Sequence, residues 1–228
     1  MIVIQNVRFK FRYLGLDGRR MRKSRVEAKR TRERIVSGAS AMIRERGLAD
    51  VGVAALMADA GLTHGGFYSH FESREALVAE ALRYALVESA QRLYLSELEN
   101  GEQPGYCRLI KKYLSALHRD NPRSGCVLAS LGAEVARLGG ESRAVFSNGF
   151  DELVSLLAEL SPEPTSKARR AHILAVISAL SGALTLARAV NDPAVSDEVL
   201  VSVRTSLLAD EQRRNNATGK SVKLQATE

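Results

Sequence analysis

Apolar side chains recur at helical spacing along almost the whole chain after residue 21. One such stripe lies just before Gly47 and consists of Ile35, Ala39, Met42 and Ile43. No stretch alternates apolar and polar residues for long enough to indicate a strand. The pattern therefore predicts an all-α fold, a chain of nine helices that starts with a three-helix domain.

Two short helices joined by a glycine-containing turn are predicted between residues 53 and 70. The first is bounded by Gly52 and Gly61, and the second begins after Thr63. This is the helix-turn-helix arrangement, in which Gly61 supplies the positive φ that a tight turn requires. The side chains predicted to form the small core between the two helices are Leu56, Ala60, Leu62, Phe67 and Phe71.

A set of polar and small residues is left on the outside of this core. Its members are Thr63, His64, Gly65, Gly66, Tyr68 and His70. A short helix with glycines that allow close approach, and with exposed hydroxyl and imidazole groups, suits a DNA major groove and its phosphates. In a second interpretation, Tyr68 and His70 simply cap the core.

The same pattern divides the chain into four parts. Residues 1–20 are expected to be a disordered extension or to precede the true start, because Met21 leads directly into the first basic helix. The helix-turn-helix domain occupies 21–72, and a domain of longer helices occupies 73–210. Apolar periodicity is lost in residues 211–228, which are expected to be a frayed tail.

Charge is unevenly distributed along the chain. Residues 1–46 carry 14 basic and 4 acidic side chains, a net +10, whereas residues 47–228 carry 19 basic and 22 acidic, a net −3. A basic N-terminal part indicates a polyanion partner, either nucleic acid or an anionic membrane, although a solvated tail would look the same. No apolar run reaches the ~18–20 residues that a membrane span needs, and no secretory pattern is present. We therefore expect a cytoplasmic protein without a membrane partner.

Candidate catalytic chemistry is sparse. None of the four histidines stands in an HExxH or CxxC context, and Val53-Ala54 occupy the positions where a phosphate loop needs Lys and Ser/Thr. We therefore expect no enzyme, no metal and no cofactor. A recombinase using the same helix-turn-helix and a membrane-surface protein using the basic N-terminal part remain as alternative functions.

Three short motifs in this region resemble those of the TetR family of transcriptional regulators. They read Ala60-Gly61-Leu62-Thr63, Tyr68-Ser69-His70-Phe71 and Ser73-Arg74-Glu75-Ala76-Leu77. The resemblance is close over residues 29–77 and extends to the rest through the number of helices and the chain length. It implies a regulator that binds a double-stranded DNA operator, most simply a repressor.

The resemblance also implies a role for individual residues. Those expected to face the groove are Thr63, His64, Gly65 and Gly66. Those expected to contact phosphates are Tyr68, His70 and Arg74. Those expected to grip the DNA backbone or reach a minor groove are Lys29, Arg30 and Thr31. The chain departs from the family pattern at Val51-Gly52, where Thr or Ser is usual, so a hydroxyl contact to phosphate is not expected there.

In this family the C-terminal helices sense a ligand and form a homodimer, and the same is implied for residues 73–210. A two-fold dimer would recognise a palindromic operator with half-sites about 34–36 Å apart. Apolar residues with helical spacing could build a four-helix dimer interface: Ile173, Ile177, Leu180, Leu184, Leu200, Val203 and Leu207. The alternative is that this stripe belongs to the core of one chain.

A small-molecule effector would bind among the helices that begin near Tyr106, Cys126 and Arg143. Cys126 is predicted to lie in the first turn of its helix, where the helix dipole favours a thiolate. Some TetR-like repressors that sense electrophiles have a cysteine in this kind of position, so Cys126 is a candidate sensor. The alternative is a small buried side chain that fills the core.

Overall fold

The computed structural model describes residues 19–94, 105–159, 161 and 163–217. Within these ranges the chain forms nine α-helices and no strand, which confirms the all-α prediction. The helices are α1 (Arg19–Arg46), α2 (Val53–Asp59), α3 (Arg74–Ser89), α4 (Gly105–Tyr113), α5 (Ala116–Asp120), α6 (Val127–Val135), α7 (Gly140–Ala158), α8 (Ser166–Ala189) and α9 (Pro193–Ala217). A 3₁₀ segment, His64–Ser69, lies between α2 and α3. We call the unit from α1 to α3 the head and the unit from α4 to α9 the body.

The first helix begins earlier than the sequence pattern indicates. Because α1 starts at Arg19, two residues of the predicted 1–20 extension are helical, and residues 1–18 lie outside the described part. The apolar stripe of α1 is buried as expected, with Ile35 and Ile43 each 1% exposed. The helix ends at Arg46, and Gly47 takes the φ of 84° that turns the chain toward α2.

The head is built around one apolar core that α1, α2, the 3₁₀ segment and α3 share. Gly61 has the predicted positive φ, 68°, and allows α2 to turn into the 3₁₀ segment. Four of the five predicted core residues of the helix-turn-helix are buried and Leu62 is half-buried, while Met57 is fully buried without having been predicted. α3 and the inner face of α6 belong to the same core, so the predicted boundary between residues 72 and 73 is not a break in packing.

The body surrounds a second core, in which α8 is the central helix. Ile173, Ile177, Leu180 and Leu184 are between 0 and 3% exposed within one chain, and Leu200 of α9 is 3% exposed. Val203 and Leu207 are half-buried against the same core. Five of the seven residues predicted for the dimer interface are therefore covered by the protomer itself, which favours the alternative that the stripe belongs to the core of one chain.

α8 is also the one described helix that is long and apolar enough to span a membrane by length and composition. Its apolar face is the one just described, packed in the core of the body. A core helix of a water-surrounded protein passes the same test, so the finding does not favour a membrane span.

The C-terminal part of the chain is more ordered than predicted. α9 continues to Ala217, the side chain of Glu211 is 6% exposed, and Arg214 forms an ion pair with Glu163. The prediction of a frayed tail from residue 211 is therefore wrong for residues 211–217, and residues 218–228 lie outside the described part. Apolar periodicity did not predict that residues 211–217 are helical, because polar side chains such as that of Arg214 hold this end of α9 to the body.

Candidate nucleic-acid interface

The 3₁₀ segment presents one apolar and one polar face. Phe67 is 1% exposed and stacks on Phe71 with ring centroids 5.7 Å apart, which fixes the segment on the head. Thr63, at the N-cap, makes no capping hydrogen bond through its side chain, and His64 and Gly65 beside it are exposed. Gly66 is half-buried. Three of the four residues predicted to face a DNA groove are therefore exposed, whereas Gly66 lies partly against the core of the head.

Tyr68 and His70 differ in how far they reach from the protein. Tyr68 is 71% exposed, and its ring lies edge-on to that of Phe67 with the ring centroids 5.3 Å apart. It does not cap the core, so the second interpretation fails for Tyr68. His70 is half-buried, and its ring centroid lies 6.5 Å from that of Phe71.

Arg32 holds the end of this surface in place, a role that the sequence analysis missed. Its guanidinium lies 4.2 Å from the centroid of the Phe71 ring, donates to the carbonyl of His70 and pairs with Glu80 of α3. A signal was available, because Arg32 precedes the buried Ile35 by three positions and so faces the head core. Its partners, 38 and 48 residues away, could not be read from spacing.

Arg74 binds the protein's own backbone. Its guanidinium donates to the carbonyl of Leu48 and, at 3.3–3.4 Å, to that of Val51, in the loop that leads into α2. The same loop is held from the other side by Glu134 of α6, whose carboxylate accepts the Leu48 N–H at 2.6 Å. Arg74 thus sets the entry to the helix-turn-helix, and its phosphate contact stays a prediction.

The basic residues predicted on α1 lie on its surface. Lys29 and Arg30 are exposed and Thr31 is half-buried. Lys29 forms a 3.8 Å ion pair with Glu33 on the same helix, an exposed pair that a phosphate can replace at little cost. Gly52 is the N-cap of α2, as expected from its position, and carries no hydroxyl for a phosphate.

Cys126 lies at the junction of head and body. It is the N-cap of α6 and not a residue of its first turn, and it is 0% exposed. Its N–H donates to Nε2 of His118 at 2.9 Å, so the His118 proton lies on Nδ1, which donates to the Tyr113 carbonyl at 2.8 Å. Burial lowers the pKa of His118 to about 4 and keeps the ring neutral. The full burial of Cys126 agrees with the core-filling alternative and leaves its sensor role a prediction.

The body contains a small apolar cavity close to the place predicted for an effector. It is lined by Tyr106, Leu109, Leu157, Ile173, Val176, Ile177 and Leu180. The space holds about one water molecule, far less than a drug-sized ligand needs. His172 lies at Tyr106, with Nε2 3.4 Å from its hydroxyl, and adds a polar group beside apolar walls. The described residues contain no cluster of His, Cys, Asp or Glu that could hold a metal ion.

Comparison with known proteins matches the head to a family model and most of the chain to a relative. A family model described as bacterial regulatory proteins, tetR family, matches residues 35–81. An uncharacterized HTH-type transcriptional regulator of Mycobacterium tuberculosis, Rv0196, is 32% identical over 192 residues, which cover 81% of this chain and 97% of that protein. The HTH-type transcriptional repressor NemR of Escherichia coli K12 is 28% identical over 132 residues, 57% of this chain and 66% of NemR.

Solved structures share the fold. The crystal structure of E. coli NemR in a reduced form superposes with a TM-score of 0.63 at 21% identity, covering 78% of this chain and 95% of that one. A transcriptional regulator from Saccharomonospora viridis, solved in complex with choline, gives a TM-score of 0.60 at 16% identity, with coverage of 78% and 95%. The relatives are transcriptional regulators and not enzymes, as the sequence predicts. Given the motifs, the helix-turn-helix with its exposed 3₁₀ segment and the near full-length relative, the chain belongs to the TetR family of bacterial transcriptional regulators.

Proposed function

We propose that the protein is a cytoplasmic, homodimeric repressor that binds a palindromic DNA operator and releases it when a small molecule acts on the body. The observation that carries the DNA-binding part is the 3₁₀ segment. Its Phe67 is buried in the head, whereas His64, Tyr68 and the N-cap residue Thr63 are exposed to solvent. Exposed hydroxyl and imidazole groups on one short helical segment are the kind of surface that a DNA major groove and its phosphates accept.

Attraction and selectivity come from different parts of the head. The 3₁₀ segment contains no Lys or Arg, so it contributes little to the salt-dependent attraction for phosphates. Exposed basic residues of α1, among them Lys29 and Arg30, supply that attraction. The outer residues of the 3₁₀ segment then supply the base contacts that distinguish one sequence from another.

The dimer that we propose uses the outer face of α8 and α9 in place of the buried stripe. On α8 this face consists of small residues and one large apolar residue: Ala171, Ala175, Ser178, Gly182, Leu186 and Ala189. Leu186 is 59% exposed, and Val195 and Val201 of α9 are 42% and 47% exposed. Small side chains allow two helices to approach closely, and the exposed apolar residues gain by being covered.

Operator DNA could be released by two routes. A small molecule could enlarge the cavity of the body, or an electrophile could react at Cys126. NemR, with which this chain shares its fold, has been solved in a form described as reduced. That description supports the second route, in which a cysteine reacts. Because Cys126 is fully buried, an adduct there would need space that the packed site does not have, so the surrounding turn would have to move.

Capture of host genomic DNA fragments by the purified protein tests the proposal. We expect a small set of fragments that share an inverted repeat, and a band shift with each that weakens steeply as salt rises. The genes beside those fragments would then indicate the class of effector. Capture of fragments without a shared sequence would contradict the proposed repressor function.

A further inference from the structure

The turn formed by residues 118–126 lies between the helix proposed to form the dimer and the first helix of the head. An arginine reaches it from each side, Arg188 from α8 and Arg44 from α1. Neither residue belongs to the family motifs in the head, and neither faces the proposed DNA surface. Their contacts nevertheless connect the body to the head through the segment that carries Cys126.

Arg44 binds the turn from the head. Its side chain is 1% exposed, and its Nη1 donates to the Gly125 carbonyl at 3.0 Å. Nε donates to the Ser40 carbonyl of α1 at 3.1 Å, and Nη2 pairs with Glu88 of α3. A buried guanidinium requires all of these partners, so α1, α3 and the turn are held in one arrangement.

Arg188 binds the turn from the body. Its Nη2 donates to the His118 carbonyl at 2.8 Å and its Nε to the Arg119 carbonyl at 3.0 Å. Nη1 donates to the Ser130 hydroxyl of α6 at 3.1 Å. A shift of α8 therefore carries both the start of the turn and α6 with it.

The turn has little room to absorb such a shift. A Cβ added at Gly125 would lie 2.8 Å from Nη2 of Arg188 and 3.1 Å from Nε2 of His118. The Gly125 carbonyl also accepts a bond from the Ser89 hydroxyl at 3.3 Å, and Ser89 in turn accepts the Val127 N–H at 3.3 Å. Arg123 adds only exposed ion pairs with the head, which contribute little.

We propose that Arg44 and Arg188 are positioning residues that clasp the 118–126 turn and so couple a change in the body, including an adduct at Cys126, to the orientation of α1. This inference rests on the proposed repressor function. Operator binding fixes α1, which stabilises the closed turn around Cys126. Because coupling between two sites is reciprocal, operator DNA must also disfavour the opened turn. Cys126 is fully buried in the closed turn and reacts only from the opened one, so operator DNA slows its reaction.

The test measures the alkylation rate of Cys126 by N-ethylmaleimide, with and without captured operator DNA. Peptide mass spectrometry gives the initial rate, and the buried Cys107 serves as an internal reference. We expect operator to slow alkylation of Cys126 in the wild-type protein about tenfold. In Arg44→Lys and Arg188→Lys, whose compact ammonium groups cannot make the same three bonds, the ratio falls toward one.

Arg92→Lys is the matched control, since Arg92 also pairs with Glu88, at 2.9 Å, but makes that contact on an exposed helix surface. It should keep the wild-type ratio. The ratio within each variant removes any general loss of stability, which would accelerate both rates.

The outcomes separate the two proposals. A wild-type protein that captures no specific DNA contradicts the repressor function. A wild-type protein that binds operator without protecting Cys126, or an Arg44→Lys variant that binds and protects as wild type does, overturns the clasp. If both lysine variants fail to bind DNA, Ser89→Ala decides, because it removes one bond to Gly125 and should lower the protection ratio by a smaller factor.

Discussion

Arg32 and Arg74 are basic residues of a DNA-binding head that use their guanidinium groups within the protein. Arg32 closes the end of the 3₁₀ segment, and Arg74 closes the loop before α2. Its spacing to Ile35 could have placed Arg32 on the core side of α1, but the carbonyl and the carboxylate that it binds come from distant parts of the chain. The sequence could thus predict which side chains are exposed, but not which basic groups are occupied by internal partners.

Replacing Arg32 with Met should weaken both the head and its binding surface. The variant loses the ring contact, the bond to the His70 carbonyl and the pair with Glu80, so we expect a loss of about 1–3 kcal/mol in unfolding free energy. Chemical denaturation measures it. Arg30→Met, at an exposed position, should leave stability within about 0.5 kcal/mol of wild type. Equal unfolding free energies of the two variants would show that the Arg32 contacts do not stabilise the head.

His118 should make stability depend on pH. Burial lowers the pKa of His118 to about 4 in the folded protein. Between about pH 6.5 and pH 4 the histidine is therefore protonated in the unfolded chain but neutral in the folded protein. Stability is therefore fully present above about pH 6.5 and falls as the pH drops toward 4, by up to about 3 kcal/mol.

The measurement compares unfolding free energies of wild type and His118→Gln from pH 7 to pH 4. The advantage of wild type over the variant should shrink steadily across that range. Other acid-sensitive groups are common to both proteins and cancel in the difference. A constant difference would mean that the histidine is not held neutral by its site.

At the scale of elements, the sequence predicts which face of a helix is buried, but not which elements pack against that face. The stripe of Ile173, Ile177 and Leu180 is apolar and, as its pattern predicts, buried. Periodicity shows that a face needs covering, but it does not show whether α4, α7 and α9 or a second chain covers it. The helix-turn-helix was easier, since its glycine, its short helices and its core lie within twenty-five residues and depend on local geometry.

The outer face of α8 carries the corresponding prediction. Leu186→Glu places a charge in the proposed dimer interface, where burial without a partner is strongly unfavourable, so the variant should be a monomer. Sedimentation velocity should show a dimer for wild type at the same concentration. Tyr84→Glu, at a 42% exposed position on α3, is the control and should stay dimeric. A dimeric Leu186→Glu protein would place the interface elsewhere.

At the scale of the whole molecule, head and body are joined through shared helices. α3 and α6 contribute to the head core, while Cys126, the N-cap of α6, belongs to the core of the body. The proposed release signal would therefore have a short path from the body to the DNA surface. The hydrogen bonds of the 118–126 turn, which add to this apolar packing, could not be predicted from motifs, because each joins polar groups that are far apart in the sequence.

The central claim is that the 3₁₀ segment reads DNA sequence while α1 supplies attraction. The most direct test compares dissociation constants for captured operator and for random DNA, at several salt concentrations, in wild type, His64→Ala and Lys29→Gln. We expect wild type to prefer operator about 10³-fold or more, His64→Ala to lose about tenfold of that preference with unchanged binding to random DNA, and Lys29→Gln to weaken both with a shallower salt dependence. Equal affinity of wild type for operator and random DNA, or a preference untouched by His64→Ala together with Tyr68→Ala, would contradict the account.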